Sequence, residues 1–563
     1  MFDERLARAG YDDDQVQAFW RLLTSICRVG LRMTWDRRYR RGMRVPERQF
    51  HDDLHALLMA DGHSYVRRRV RSLAVIPRHG LDDDDDLTVD WHGPGEECGV
   101  FGVWAPGADV SSLTFYGLSA LQHRGQEAAG MAVGDGSSMT VHKGLGLVSQ
   151  VFDEALLRSL QGHVAIGHAR YSTTGSCTWE NAQPSHREKT GAWGIALGHN
   201  GNLTNTLELA RAAPGRGALP DARRATSDSD LITALLAARA GDAPTLVEAG
   251  LAVLPRLAGA FSLVFMDEGT LYAARDVHGV RPLALGSVDD GWVVASESAA
   301  LDAVGARFAR DVEPGELLAI DESGVRSHRF GPASPRGCLF EFVYLARADS
   351  VIGGRSVHAA RVDSGRRLAL VSPVDADLVM PVPQSGTPAA LGYAEASRVP
   401  FGEGLVANQY VGRTFILPST TMRRLGVRLK FNPLRDVVRD RRLVIVDDTI
   451  VRGNTMRALV RLLRTAGARE VHVRIGAPPV AWPCFYGLDF PTRRELLAPG
   501  LDEGEIRDAI GADSLAYLPV DDLVLATAQP IDSLCAACFT GDYPMARPHE
   551  GSGKQVLEAN SDR

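Results

Sequence analysis

The segment VIVDDTIVRGNT (444–455) places two adjacent acids, Asp447 and Asp448, at the end of an apolar run. A turn with Arg452 and Gly453 follows, and Thr455 then opens a helix. Open α/β sheets bind ligands at the carboxyl ends of their strands. Backbone N–H groups in such a turn and at a helix N-terminus suit a phosphate. The two carboxylates can accept hydrogen bonds from ribose hydroxyls or hold a divalent cation through water. A second constellation begins at Cys98, which alone reads as a packed core cysteine. Its companions change that reading: Arg170 in GHARYSTTG (167–175), Asn200 and Gly201 in HNGNLTN (199–205), and Asp228 in TSDSD (226–230). A thiol, an amide and N–H pair suited to an oxyanion, a cation for a carboxylate and an anion for an ammonium group could together bind and cleave free glutamine. A third is the C-x-x-C pair Cys535 and Cys538, for which metal, redox and packing readings are all open.

These residues must be positioned by more than one domain, because 563 residues exceed a single core. Hydrophobic residues make up 45% of the chain, yet no run approaches the roughly 20 apolar residues of a membrane span. Arginines and acids interrupt every apolar stretch near the N-terminus, so no secretory signal is read there and a cytoplasmic location is expected. A net charge of −7 gives no reason to expect nucleic acid as a partner. Seven scattered cysteines argue against a disulfide framework.

Residues 1–80 are arginine-rich and lack lysine. Val16, Phe19, Trp20, Leu23 and Ile26 recur at helical spacing after a cap at Asp12 or Asp13, predicting a helical extension. A later gene start, which would remove most of it, is the alternative. The acidic run Asp82–Asp86 marks 81–97 as a linker. From Cys98 a buried strand, GVFGVW, leads into turn-rich segments with short strands to about 330. From about 375 strands and helices alternate: a strand at 377–382, a QSGT turn, a helix from Pro388, a strand at 443–446, an amphipathic helix through Leu459, Val460, Leu462, Leu463 and Ala466 ending at Gly467, and a strand through Val471, Val473 and Ile475. Such a βαβ unit predicts a parallel sheet.

The 444–455 segment resembles the signature of the type I phosphoribosyltransferases. That resemblance implies that Asp447 and Asp448 contact the ribose hydroxyls of phosphoribosyl pyrophosphate (PRPP). Thr449, Arg452, Gly453, Asn454 and Thr455 would cradle its 5-phosphate, Lys430 would add a cation, and Pro383–Thr387 would form the pyrophosphate loop. Mg²⁺ would be held by Ser385, Asp447 and Asp448. EECGVFGVW, ALQHRGQEAAG, GHARYSTTG and GHNGNL resemble the N-terminal-nucleophile glutaminases, whose domain is a four-layer αββα structure. In that family the nucleophilic cysteine is residue 1 and its own α-amine is the general base. The resemblance therefore implies cleavage between Glu97 and Cys98, after a leader longer than the family's propeptides.

Together the halves resemble the amidophosphoribosyltransferases almost continuously over about 96–547. The fold class implied is α/β and α+β, with a glutaminase domain at 98–330, a phosphoribosyltransferase domain at 331–525 and a C-terminal segment at 526–563. The activity implied is release of ammonia from glutamine at Cys98 and its passage through an internal channel to C1 of PRPP. The products would be glutamate, pyrophosphate and 5-phosphoribosylamine, in the first committed step of purine synthesis. Cys338, Cys484, Cys535 and Cys538 match the ligands of a structural [4Fe–4S] cluster in one subfamily, with a Cys₄ zinc site as the alternative. A homotetramer inhibited by purine nucleotides is also implied. Two residues depart from the pattern: Gln384 stands where the pyrophosphate loop usually has an acid, and Ala407 where a loop lysine is usual. Arg413, Arg428 and Lys430, one of four lysines in the chain, remain. The competing readings are a PRPP-binding regulator and a paralogue, its leader retained, that uses free ammonia.

Overall fold

The computed structural model describes residues 98–171, 178–187, 194–212, 225–241, 243, 245–408, 430–488, 490, 493 and 496–547. The expected extension and linker at 1–97, Cys27, Cys177, Arg413, Arg428 and the tail beyond 547 lie outside the described residues.

Thirteen strands build the first half: β1 (Gly99–Trp104), β2 (Ala128–Gly134), β3 (Met139–Leu145), β4 (Val164–Arg170), β5 (Ser185–Arg187), β6 (Ile195–Leu203), β7 (Gly259–Met266), β8 (Leu271–Arg275), β9 (Ala284–Val288), β10 (Gly291–Ala295), β11 (Arg307–Asp311), β12 (Glu316–Asp321) and β13 (Gly324–Arg329). They form two antiparallel sheets, ordered β11-β9-β10-β1-β4-β2-β3 and β13-β12-β8-β7-β6-β5. The period of two along a strand sorts the side chains of β1 into two cores. Phe101 and Val103 pack with Val110 and Leu118 of helix α1 (Val110–Ala120). Val100 and Trp104 instead meet Val264, Met266 and Leu271 of the facing sheet. The far face of that sheet, through Leu197, Phe261, Leu263 and Phe265, packs on α2 (Asp228–Ala240) and α3 (Leu246–Val253). The order helix, sheet, sheet, helix is the expected αββα sandwich. The pattern of the residues themselves gave only strands and turns here; the helical layers were implied by the family resemblance.

The second half is a parallel sheet, β14 (Leu378–Pro381), β15 (Arg442–Asp447), β16 (Glu470–Ile475) and β17 (Ser514–Tyr517), in that spatial order. Its helices are α4 (Val357–Val371), α5 (Thr387–Ser397), α6 (Asn454–Thr465), α7 (Glu503–Ile510) and α8 (Val520–Thr527). Leu443 and Ile445 of β15 face Leu459, Val460 and Leu463 of α6. Val444 and Val446 face Ala389, Ala390 and Tyr393 of α5 and Leu368 of α4. Burying each such aliphatic side chain stabilises the fold by roughly 1.5–3 kcal/mol. The βαβ unit is thus as expected, with small shifts at its ends. Helix α5 opens at Thr387, which places Pro388 in its first turn, where a missing N–H costs nothing. Helix α6 opens at Asn454, one residue before Thr455, because Gly453 takes a left-handed φ of 78° as its cap.

Candidate active sites

Strands β1 and β4 are antiparallel neighbours with Gly99 opposite Ala169, so Cys98 begins beside Arg170. The Cys98 thiol is buried and donates to the Tyr171 carbonyl at 3.3 Å. Burial pushes its pKa up to about 12; the Tyr171 contact and Arg170 pull it back, while Asp228 and Glu127 add to the rise. Asn200 and Gly201 lie on β6, opposite Ser262 and Phe261 of β7. Asn200 is fully buried, and its Nδ2 points to Ser296 Oγ at 3.5 Å. The same Oγ accepts from the Val100 N–H at 2.9 Å, tying the strand of Cys98 to Asn200. Asn200 Oδ1 has no hydrogen-bond partner among the described residues. Gly201 has φ 148°, and a Cβ there would lie 2.1 Å from the Ala260 carbonyl oxygen, so no other residue fits.

Asp228 is the first residue of α2 and is buried. Burial opposes its ionisation, but His199, with Nδ1 at 3.6 Å, and the N–H groups of Leu203 and Ser229 hold its carboxyl below the usual range. His199 is fixed in turn: its N–H donates to Gln183 Oε1 at 2.8 Å, and its Nδ1 lies 3.3 Å from Ser229 Oγ. His199 and Gln183 escaped the sequence reading, although His199 sits inside the quoted HNGNLTN. The residues that the sequence singled out around Cys98 thus converge through shared strands and hydrogen bonds.

In the second half Asp447 ends β15, and Asp447, Asp448 and Thr449 are each about nine-tenths buried. Asp447 accepts from the Asp448 N–H at 2.9 Å, and Asp448 accepts from Thr449 Oγ1 at 2.7 Å. Burial and the Asp448 charge hold the Asp447 carboxyl well above the usual range, with Lys430 acting in the opposite sense. The QSGT turn lies flush against the end of β15, since a Cβ on Gly386 would come 2.4 Å from the Val446 carbonyl oxygen. Ser385 and Asp448 line one cavity together with Arg361. Arg361, on α4, was not foreseen; its guanidinium donates to the carbonyls of Phe342 and Ala346 at 2.8 and 2.7 Å. Lys430 precedes a short ribbon in which Phe431 is opposite Ala407, and its carbonyl accepts from the Asn408 N–H at 2.8 Å.

Cys338 and Cys535 are partners in a short parallel pairing of 337–338 with 534–535. With Cys484 and Cys538 they line one cavity, next to Arg281 and Tyr486. The five described cysteines are free thiols. Burial pushes the Cys535 thiol up to about 11, and burial and the other three cysteines hold Cys538 well above its usual value. Such thiols favour a bound cation that would replace their protons. Among the described residues no three His, Cys, Asp or Glu side chains are gathered closely enough to mark a metal ion.

Between the halves runs a buried ionic network. Arg124 pairs with Glu297 and, through Nη2 at 2.7 Å, with Glu341. Arg281 Nη1 reaches Glu341 at 3.5 Å, and Glu297 also accepts from the Arg347 N–H and Ser350 Oγ at 2.8 and 2.6 Å. Removing one member leaves the others charged and buried, which costs about 3–5 kcal/mol. Glu341→Ala should lower the denaturant midpoint accordingly, and Glu341→Gln should lower it less.

A glutamine amidotransferase domain model matches residues 168–303, and a phosphoribosyl transferase domain model matches 376–475. An amidophosphoribosyltransferase of Mycobacterium tuberculosis is 62% identical over 477 residues, covering 83% of this chain and 90% of that protein. The amidophosphoribosyltransferase of Bacillus subtilis is 45% identical over 457 residues, covering 80% and 95%. A solved glutamine PRPP amidotransferase from B. subtilis, complexed with ADP and GMP, superimposes with a TM-score of 0.74 at 43% identity, covering 80% of this chain and 98% of that one. A thiol site on an αββα sandwich, an acidic strand end on a parallel sheet and these relatives agree: the chain belongs to the amidophosphoribosyltransferases, the pentosyltransferases that open purine biosynthesis.

Proposed function

We propose that Cys98 attacks the amide of glutamine, with Arg170 holding the substrate carboxylate, Asp228 its ammonium group, and Asn200 Nδ2 with the Gly201 N–H receiving the oxyanion. The released ammonia passes inside the protein to C1 of PRPP and displaces pyrophosphate. Asp447 and Asp448 hold the ribose hydroxyls. Thr449, Arg452, Gly453, Asn454 and Thr455 hold the 5-phosphate at the start of α6, and Lys430 balances the acids. Ser385, Asp447 and Asp448 would hold Mg²⁺, which would supply charge neutralisation for the pyrophosphate. The shared cavity of Ser385 and Asp448 and the raised Asp447 carboxyl, a group that gains from a cation, support that assignment. Arg361 lines the same cavity and brings a positive charge to it.

Cys338, Cys484, Cys535 and Cys538, which line one cavity, would hold a [4Fe–4S] cluster that serves structure rather than chemistry. Zinc is the alternative occupant, and iron, sulfide and zinc analysis of anaerobically purified protein separates the two. The solved relative's ADP and GMP support feedback by purine nucleotides. A homotetramer follows from the family resemblance. Among the described residues no helix is long and apolar enough to cross a membrane, which agrees with a cytoplasmic enzyme.

The observation that carries this reading is the presence in one chain of a buried thiol, just before a strand that Ser296 ties to the buried Asn200, and an acid pair at a parallel-strand end. The test is stoichiometry: with glutamine, PRPP and Mg²⁺, glutamate and pyrophosphate should appear one for one. Glutamate release without pyrophosphate, or pyrophosphate only with added ammonia, would overturn it. Ala407 gives a further expectation. It sits across the ribbon from Phe431, next to Lys430, so Ala407→Lys should restore a cation at the pyrophosphate end. The apparent PRPP affinity should tighten by about threefold to tenfold, a gain of up to roughly 1.4 kcal/mol, readable as KM for PRPP.

A further inference from the structure

An oxyanion pair works only if its donors are held where charge will develop. Strand β6 carries Asn200 and Gly201, and three consecutive residues of the second half press on it or its neighbours. Asn202, on the same strand, donates through Nδ2 to the Phe485 carbonyl at 3.1 Å. The Tyr486 carbonyl accepts from Nε of the fully buried Arg281 at 2.9 Å, and the Arg281 carbonyl accepts from Ser262 Oγ, the residue opposite Asn200, at 3.1 Å. Gly487 has φ 121°, and a Cβ there would stand 3.3 Å from Gly201 Cα and 3.3 Å from Arg281 Nε. The segment is anchored behind: Tyr486 Oη donates to the Met545 carbonyl at 2.8 Å and accepts from its N–H at 3.2 Å.

We infer that Phe485–Gly487 is a buttress contributed by the transferase half that positions Asn200 and Gly201, so that glutamine cleavage depends on a segment outside its own domain. Asn202, Arg281 and Gly487 are positioning residues: none is among those proposed to hold glutamine, and each acts through β6 or its neighbour β7. Gly487 is required twice over, by its left-handed backbone and by the close approach to Gly201. This inference rests on Asn200 and Gly201 being the oxyanion donors.

The experiment measures glutamine-dependent and ammonia-dependent phosphoribosylamine formation in Gly487→Ala, Asn202→Ala, Asn202→Ser and Asn200→Ala enzymes, purified with their metal centre intact. Gly487→Ala should lower kcat with glutamine about tenfold to a hundredfold, as expected for a small misplacement of catalytic groups. KM for glutamine and the ammonia-dependent rate should stay within about twofold. Asn202→Ala should show the same pattern more weakly, and Asn202→Ser, which keeps a short donor, should recover part of it. Equal losses with glutamine and ammonia in Gly487→Ala and Asn202→Ala would indicate general structural damage and overturn the buttress. So would an unchanged kcat in both while Asn200→Ala collapses. An unchanged kcat in Asn200→Ala would overturn the oxyanion assignment itself.

Discussion

Cys98→Ala should abolish glutamine-dependent synthesis, by roughly 10⁴-fold or more, and leave ammonia-dependent synthesis close to wild type. The asymmetry follows from the separation of the two chemistries. Cys98 immediately precedes β1 of the sandwich, whereas Asp447 closes a strand of the parallel sheet and Asp448 follows it. The loss is large because alanine has no nucleophile to offer the amide. Burial pushes the pKa of the Cys98 thiol up to about 12, so the thiol stays protonated at neutral pH. The attack therefore needs a base that removes the proton as the bond forms. The α-amine of Cys98, once Glu97 is removed, has a pKa near 8 and is attached to the same residue. It follows that a chain retaining its leader should behave like Cys98→Ala, and that the processed enzyme's glutamine rate should rise with pH as the amine loses its proton. Intact-mass analysis paired with both assays checks this. Full glutamine activity in a chain that still begins at Met1 would sink it.

How far the sequence foretold this arrangement depended on whether a feature repeats or is local. In β15 the residues Leu443–Val446 sit between two helix layers, and α6 carries a single apolar stripe through Leu459, Val460 and Leu463, so both elements were readable from pattern. Helix α2, DSDLITALLAARA, is buried through Leu231, Ile232, Ala234, Leu235, Leu236 and Ala237, which leaves no polar face and hence no period of 3.6. The candidate residues Arg170, Asn200, Gly201 and Asp228 could be singled out because each lies in a local motif. Arg124 and Glu341 are 217 positions apart, and Arg281 and Tyr486 are 205 apart; nothing local marks such partners. Arg361 looked like any helical arginine until the fold turned it toward the cavity of Asp448.

Asp447→Asn should make the unliganded protein more stable at neutral pH while lowering phosphoribosyl transfer by at least about a hundredfold. Two carboxylates at the end of β15 share a buried site, and burial and the Asp448 charge hold the Asp447 carboxyl well above its usual range. A carboxyl whose folded pKa is raised contributes fully to stability below its unfolded pKa, near 4, and loses that contribution as pH rises toward the folded value. Asparagine keeps the neutral form's shape without the titration. The advantage of Asp447→Asn over wild type should therefore be absent below about pH 4 and grow as pH rises, in melting curves recorded with chelator and no PRPP. Under the proposed function activity runs the other way, because the same charge would accept ribose hydroxyl hydrogen bonds and attract Mg²⁺, and preorganised groups of this kind are worth about 10²–10³ in rate. Adding Mg²⁺ and PRPP should then raise the melting temperature of wild type and not of Asp447→Asn, reversing their order. A variant that melts lower than wild type at pH 7 without ligand would show that Lys430, which acts to lower the Asp447 pKa, outweighs burial and the neighbouring carboxylate. A variant that transfers at the wild-type rate would remove Asp447 from the site altogether.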